Sequence, residues 1–177
     1  MAFSLPQQII QALSLREGMY VADFGAGSGH YTLAAARKVN DGKVCAVDIQ
    51  KNLLSRIKNE ASREGLSNVD VVWGDIDEVG GSRLAPHSMD VVILANVLFQ
   101  IERRGMLVEE VKRVLKPKGR VLLIDWQESF GGVGPEERDV LRKNDAQELF
   151  LTAGFTLERD ISTIAGDHHY GFVFSMV

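Results

Sequence analysis

The chain has 177 residues, 20 basic and 24 acidic side chains and a formal net charge of −4. Its length suits one domain, residues 1–177, built round one core, and 45% apolar with 25% charged residues is ordinary for a soluble globular protein. No basic block and no apolar run near about 18 residues occurs, so a large nucleic-acid footprint, a secretory leader and a transmembrane segment are not expected, and a cytoplasmic location is. Leu5, Ile9, Ile10 and Leu13 have helical spacing, with Pro6 tolerated in the first turn. They predict a helix over 5–15 within a leading segment, 1–18, that covers the sheet or contributes to a lid.

The stretch Val21-Ala-Asp-Phe-Gly-Ala-Gly-Ser-Gly-His-Tyr-Thr32 comes next. An apolar strand over about 19–24 carries an acid, Asp23, near its end. Glycines at 25, 27 and 29 then permit a sharp turn and close approach of a ligand to the main chain. A helix opens at about Gly29 and runs to about Val39, with its free N–H groups facing the turn. That arrangement predicts a nucleotide-like cofactor at the carboxyl end of a first strand. The dinucleotide pattern G-x-G-x-x-G is not met, because His30 stands where its third glycine belongs.

The rest of the chain repeats strand, polar residue, helix. Val44–Val47 ends in Asp48, Val69–Trp73 in Gly74-Asp75, Met89–Ala95 in Asn96, and Arg120–Ile124 in Asp125-Trp126. Helices are expected from Leu53, Leu54, Ile57 and Ala61, and again from Leu107, Val111, Val114 and Leu115, the second ended by Pro117-Lys-Gly119. Continuous apolar strands imply a parallel sheet covered on both faces, with its polar strand ends along one edge. Residues 127–143, with Gly131, Gly132, Gly134 and Pro135, are too irregular for a strand, and Pro135-Glu-Glu137 suits a short helix start. Asp145 and Glu148 read as a capping box before Ala146, Leu149, Phe150 and Ala153. Thr156–Thr163 and Tyr170–Val177, the second opened by His169, are too closely connected for a parallel crossover and form an antiparallel hairpin. Cys45, the one cysteine, lies in a strand pattern and reads as a buried, inert thiol.

Together Asp23-Phe-Gly-Ala-Gly-Ser-Gly29, Ala46-Val-Asp-Ile49, Asn68–Asp75, Met89–Asn96, Leu115-Lys-Pro-Lys-Gly-Arg-Val121, Ala153-Gly-Phe155 and His169-Tyr-Gly-Phe172 resemble the class I S-adenosylmethionine-dependent methyltransferases, near the group related to ubiquinone and menaquinone biosynthesis. The resemblance covers most of the chain. It implies an α/β, Rossmann-like three-layer sandwich with a seven-stranded sheet, order 3-2-1-4-5-7-6, strand 7 antiparallel. It implies S-adenosylmethionine as cofactor and S-adenosylhomocysteine as product. By position, Gly25, Ala26 and Gly27 lie against the methionine part of the cofactor, which Asp23 orients. Asp48, with Ile49 beside it, accepts the ribose hydroxyls. Gly74, Asp75 and Ile76 hold the adenine, and Asn96 and Val97 close the site.

The histidine that many relatives carry after the fourth strand is absent from Asn96-Val-Leu-Phe-Gln-Ile101. So are the D/N-P-P-Y signature, a Pro-Cys nucleophile and the paired cysteines of arsenic methylation. Small molecules, quinone-like ones in the group's manner among them, or a protein side chain remain as acceptors. On the acceptor side, Asp125 and His169 are the candidate catalytic residues, and Trp126 and His168 the candidate substrate residues. The topology brings His168 and His169 beside the end of strand five. His30 suits either a cofactor contact or a surface helix position, and His87 a loop. No metal is expected, since no histidines group with carboxylates at ligand spacing. Two rival readings share the sheet. A NAD-dependent oxidoreductase is favoured by Asp48 but not by the glycine spacing or Asp75. A non-catalytic cofactor-binding regulator keeps the same cleft without turnover.

Overall fold

In a computed structural model, which describes residues 6–132 and 134–177, the polar strand ends named above lie along one edge of a single sheet. The strands are β1 (Tyr20–Phe24), β2 (Lys43–Asp48), β3 (Val69–Trp73), β4 (Met89–Ala95), β5 (Leu115–Trp126), β6 (Phe155–Asp160) and β7 (His169–Met176). Their order is β3-β2-β1-β4-β5-β7-β6. β1 to β5 pair in parallel, and β7 runs antiparallel to both β5 and β6. The order and the antiparallel hairpin agree with the expectation from sequence.

The inner strands are buried on both faces because helices cover both. Alternate residues of each strand enter opposite cores. Val21, Val44, Val91, Leu122 and Val173 pack against α1 (Pro6–Ala12), α2 (His30–Ala36), α3 (Lys51–Arg63) and α6 (Ser162–Ala165). Phe24, Val47, Leu94, Leu123 and Phe172 pack against α4 (Arg104–Val114) and α5 (Lys143–Thr152). Phe150 stacks on Phe174 at 4.9 Å between ring centroids, which seats α5 on β7. Cys45 is buried in β2, and burial raises its thiol pKa, so it stays protonated.

Several local expectations change. Among the described residues the leading helix runs Pro6–Ala12 and ends before Leu15; Leu5 lies outside them. α2 stops at Ala36 and turns lead on to Gly42. Leu53 does not face the core but lines a cleft. α4 ends at Val114, and Leu115 already pairs with Met89. The register then shifts so that Val91 meets Arg120, and Lys116–Gly119 bulge out of the pairing. Pro117 and Gly119 therefore mark a bulge inside a strand, as both residues commonly do. No helix opens at Pro135; a turn closes with Asp139 donating to the Glu136 carbonyl. Asp145 is not an N-cap, because α5 starts earlier, with Arg142 as N-cap, and Asp145 sits in its first turn. The hairpin connection contains α6, so Thr163 is helical rather than extended. None of these shifts moves the parallel strand ends.

Candidate active site

The glycine turn begins where β1 stops. Gly25 and Ala26 both donate to the Val47 carbonyl, at 2.8 and 3.1 Å, which folds the chain back over the end of β2. Gly25 has φ +68°, and a Cβ there would lie 2.8 Å from Val97 Cγ2. Gly29 has φ +81°, and a Cβ would lie 2.6 Å from Ile57 Cγ1. Both positions combine a left-handed backbone with a close neighbour, so glycine is required twice over. Gly27 differs: the nearest atom to its Cβ position would be the Gly25 carbonyl oxygen, 3.8 Å away. The turn is tight underneath and open above.

A cleft of about 340 Å³ lies over this turn, lined by Gly25, Gly27, Asp48, Ile49, Gly74, Asp75, Ile76 and Val97 among others. Those eight were all singled out from sequence; Asp23, Ala26 and Asn96, singled out with them, do not line it. Gln50, Leu53, Asp77, Gln100 and Ile101 also line it and were missed. Leu53 and Ile101 carry ordinary apolar signals, and nothing in the pattern separated them from core positions. A more voluminous pocket, about 620 Å³, opens at the opposite end of the sheet between Arg16, Asp90, Lys116 and Glu158. None of the polar strand ends lines it.

Asp48 ends β2 with both carboxylate oxygens engaged. Oδ2 accepts the Gly27 N–H at 2.9 Å and Oδ1 the Gln50 N–H at 2.8 Å. It thereby ties the glycine turn to the start of α3. Asp23 is only 2% exposed, and its Oδ2 accepts from the Thr32 hydroxyl at 2.5 Å. Burial pushes its pKa up to about 6, against the opposing hydrogen bonds from Thr32, with the nearby Asp48 charge adding to the rise. Asp75 is exposed at the cleft, its N–H bonded to the Gly81 carbonyl at 3.0 Å and its Oδ1 accepting the Asp77 N–H at 2.9 Å. Ile76 is buried beside it. Asp77 Oδ1 and Asn96 Oδ1 are buried without a hydrogen-bond partner among the described residues. Buried acceptors of that kind are costly unless a donor arrives.

Asn96 adopts φ +58° directly after β4, and its N–H bonds the Ile124 carbonyl at 2.8 Å. Val97 follows and packs over Gly25. Asp125, near the end of β5, is 2% exposed. Its Oδ2 accepts from Val97 N–H at 3.0 Å and Leu98 N–H at 2.6 Å, and its Oδ1 from Trp126 N–H at 2.8 Å. Burial raises its pKa to about 6 against those three bonds.

The two histidines do reach the end of β5. Trp126 and His169 are cross-strand partners with ring centroids 4.2 Å apart. Gln127 N–H donates to the His168 carbonyl at 3.0 Å. Asp125 pairs with Tyr170, one residue further on, and strand alternation turns it to the opposite face from His169. The carboxylate that meets an imidazole is Glu128: its Oε1 lies 2.6 Å from His168 Nδ1, while Phe130 stacks on the same ring at 3.8 Å. His169 is buried, and burial, with His168 adding to it, lowers its pKa, so its neutral form is favoured. Glu128, Phe130 and Gly134 lie against this corner, and Val133 lies outside the described residues. A Cβ on Gly134 would sit 2.8 Å from the Trp126 ring, so that glycine lets the segment lie flat on it. His30 is exposed and bonds Ser28 at 3.1 Å, and His87 bonds the Leu115 carbonyl at 2.9 Å, away from the cleft.

This geometry can be set beside known proteins. The arsenite methyltransferase of Halobacterium salinarum is 30% identical over 113 residues, 63% of this chain and 28% of that protein. The demethylmenaquinone methyltransferase of Staphylococcus aureus is 28% identical over 120 residues, 67% of this chain and 48% of that protein. The chain thus spans about half or less of the curated relatives it matches. Among solved structures, a SAM-dependent methyltransferase from Aquifex aeolicus superimposes with a TM-score of 0.87 at 26% identity, covering 99% of this chain and 91% of that one. Residues 15–151 match the family model described as "Methyltransferase domain". The chain therefore belongs to the methyltransferase domain family, and by sequence and fold to the class I S-adenosylmethionine-dependent methyltransferases.

Proposed function

We propose that the chain transfers a methyl group from S-adenosylmethionine to a small, planar acceptor of the quinone-like kind. The observation that carries the cofactor half is that Asp48 and Asp75 line one cleft with Gly25 and Gly27. When bound, S-adenosylmethionine supplies an already electrophilic methyl group, so the residues need only bind, align and exclude water. Asp48 has roughly two of about four acceptor sites left over after its two backbone bonds, enough for two ribose hydroxyls. Asp23 holds the methionine part. Ile49 and Ile76 flank the adenine over Gly74, with Asp75 taking its amino group. The orphaned oxygen of Asp77 favours a donor-bearing ligand at that end. Asn96 and Val97 close the other wall.

The acceptor half rests on the corner of Trp126, His168, His169 and Phe130. Flat rings there suit a flat acceptor. His169 is favoured neutral but buried, so it takes a proton from an acceptor hydroxyl or activated carbon only once the segment at Phe130 and Gly134 moves off this corner. Asp125 was a candidate for that task, but its oxygens already accept three backbone N–H groups. We assign it to holding Val97 and Leu98, and through them the wall over Gly25. The relatives named for menaquinone and ubiquinone biosynthesis support the acceptor class. A cytoplasmic location is part of the same proposal and rests on composition. The test is turnover with a panel of naphthoquinols and benzoquinols, scored by S-adenosylhomocysteine formed, for the parent chain and for His169→Ala. The reading expects turnover on at least one quinol and a loss of roughly 10²- to 10⁴-fold in the variant. S-adenosylhomocysteine binding without turnover on any quinol removes the acceptor assignment.

A further inference from the structure

The cleft's adenine end is carried by residues 74–84, a segment with no regular secondary structure. Its shape is set by a side chain thirty residues further on. Glu110, in the middle of α4, is fully buried. Its Oε2 accepts the Gly80 N–H at 2.6 Å, and its Oε1 accepts the Ser82 N–H at 3.2 Å and the Ser82 hydroxyl. Arg113 grips the same carboxylate with two nitrogens, at 2.7 and 2.8 Å, and extends its guanidinium to the Leu84 carbonyl at 2.8 Å. Burial alone would raise the Glu110 pKa. The Arg113 guanidinium and the Ser82 and Gly80 donors outweigh it and hold the carboxyl below its usual range.

This clamp is continuous with the cofactor cleft. Gly81, between the two clamped residues, accepts the Asp75 N–H at 3.0 Å. The packing leaves no slack: a Cβ on Gly81 would lie 1.9 Å from the Asp75 carbonyl oxygen, and one on Gly74 would lie 2.5 Å from the Gly81 carbonyl oxygen. Gly74, Asp75, Ile76 and Asp77 all line the cleft. A shift of Gly80–Ser82 therefore moves the residues that face the adenine.

We propose that Glu110 is a positioning residue for the cofactor, fixing the adenine-binding segment through Gly80–Ser82 without touching the ligand. This rests on the cofactor reading of the same cleft. The alternative is a purely structural ion pair that steadies α4. The two differ in coupling, because a clamp acting through the 74–84 segment must depend on Asp75 and not on Asp48, which sits on β2.

The test is a pair of double-mutant cycles on S-adenosylhomocysteine affinity, by calorimetry at fixed pH and salt. Glu110→Gln is combined with Asp75→Ala in one cycle and with Asp48→Ala in the other. Ser82→Ala, which leaves the Glu110–Arg113 pair intact, repeats both cycles if the Glu110 variant does not fold. The expected result is a loss of affinity of roughly tenfold for Glu110→Gln, absorbed largely by Asp75→Ala but additive with Asp48→Ala. Hydrogen exchange at the Gly80 and Ser82 amides should rise in the same variant. Unchanged affinity in a folded variant overturns the proposal, as does a loss equally coupled to Asp48 and Asp75. Failure of the parent chain to bind S-adenosylhomocysteine would instead remove the underlying cofactor reading.

Discussion

Replacing Asp48 with alanine tests the ribose contact directly. In the structure its two oxygens accept the Gly27 and Gln50 N–H groups at 2.9 and 2.8 Å, and the residue is 7% exposed. The substitution removes acceptors for the cofactor and loosens one tie between the glycine turn and α3. A hydrogen bond to a charged group contributes about 1.5–3 kcal/mol, so S-adenosylhomocysteine affinity should fall by roughly 13- to 160-fold. The fold should survive, since Asp48 ends a strand at the sheet edge and the packed core of β2 is untouched. Calorimetry with S-adenosylhomocysteine and its 2′-deoxy analogue separates the two effects. The parent chain should discriminate against the analogue, and Asp48→Ala should not. If the variant loses affinity but still discriminates fully, Asp48 only braces the turn. If affinity is unchanged, the ribose contact is refuted outright.

With a carboxyl pKa of about 6, Asp23 is protonated in the ligand-free protein below that value, and a ligand ammonium needs it ionised. S-adenosylhomocysteine affinity should therefore be flat above about pH 7 and fall by up to roughly tenfold per unit below about pH 6; a flat profile in Asp23→Asn and a sloping one in the parent is the expected pattern. Gly25→Ala should lower stability by about 1–3 kcal/mol in chemical denaturation, from its φ of +68° and the 2.8 Å approach to Val97; an unperturbed midpoint would mean that the turn relaxes freely. Amides of residues 127–132 and 134–142 should exchange quickly without ligand and slow when acceptor and S-adenosylhomocysteine are both present, whereas full protection of the ligand-free chain would count against a segment that moves over Trp126.

Much of the frame was legible because buried parallel strands are unbroken apolar runs, and because a polar residue must follow where each strand leaves the core. Val69–Trp73 and Met89–Ala95 came out residue for residue. Several of the errors share a cause: local turn chemistry was read without tertiary context. Pro117 and Gly119 looked like a helix stop and proved to be a bulge within β5. Asp145 looked like a cap, but the helix began before it. In the site, the acids that end strands were readable because each stands where an apolar run breaks. What those acids touch was not. Asp125 and His169 sit one residue apart in the β5–β7 register, yet on opposite faces, and only the register decides that. Glu110 was overlooked because a glutamate in a helix ordinarily faces water. One signal was present: Glu110 falls at helical spacing from Leu107 and Val114, on the apolar stripe itself.

A crystal structure with S-adenosylhomocysteine bound would show how the cleft holds the cofactor. The ribose hydroxyls should lie within hydrogen-bond distance of Asp48, the adenine amino group at Asp75 with the ring between Ile49 and Ile76, and the homocysteine amine should face Asp23 over Gly25 and Gly27. The sulfur should point toward the corner of Trp126 and His169. Ligand density in the pocket beside Arg16 and Lys116, or a ligand in the cleft with its adenine over the glycine turn, would contradict this placement.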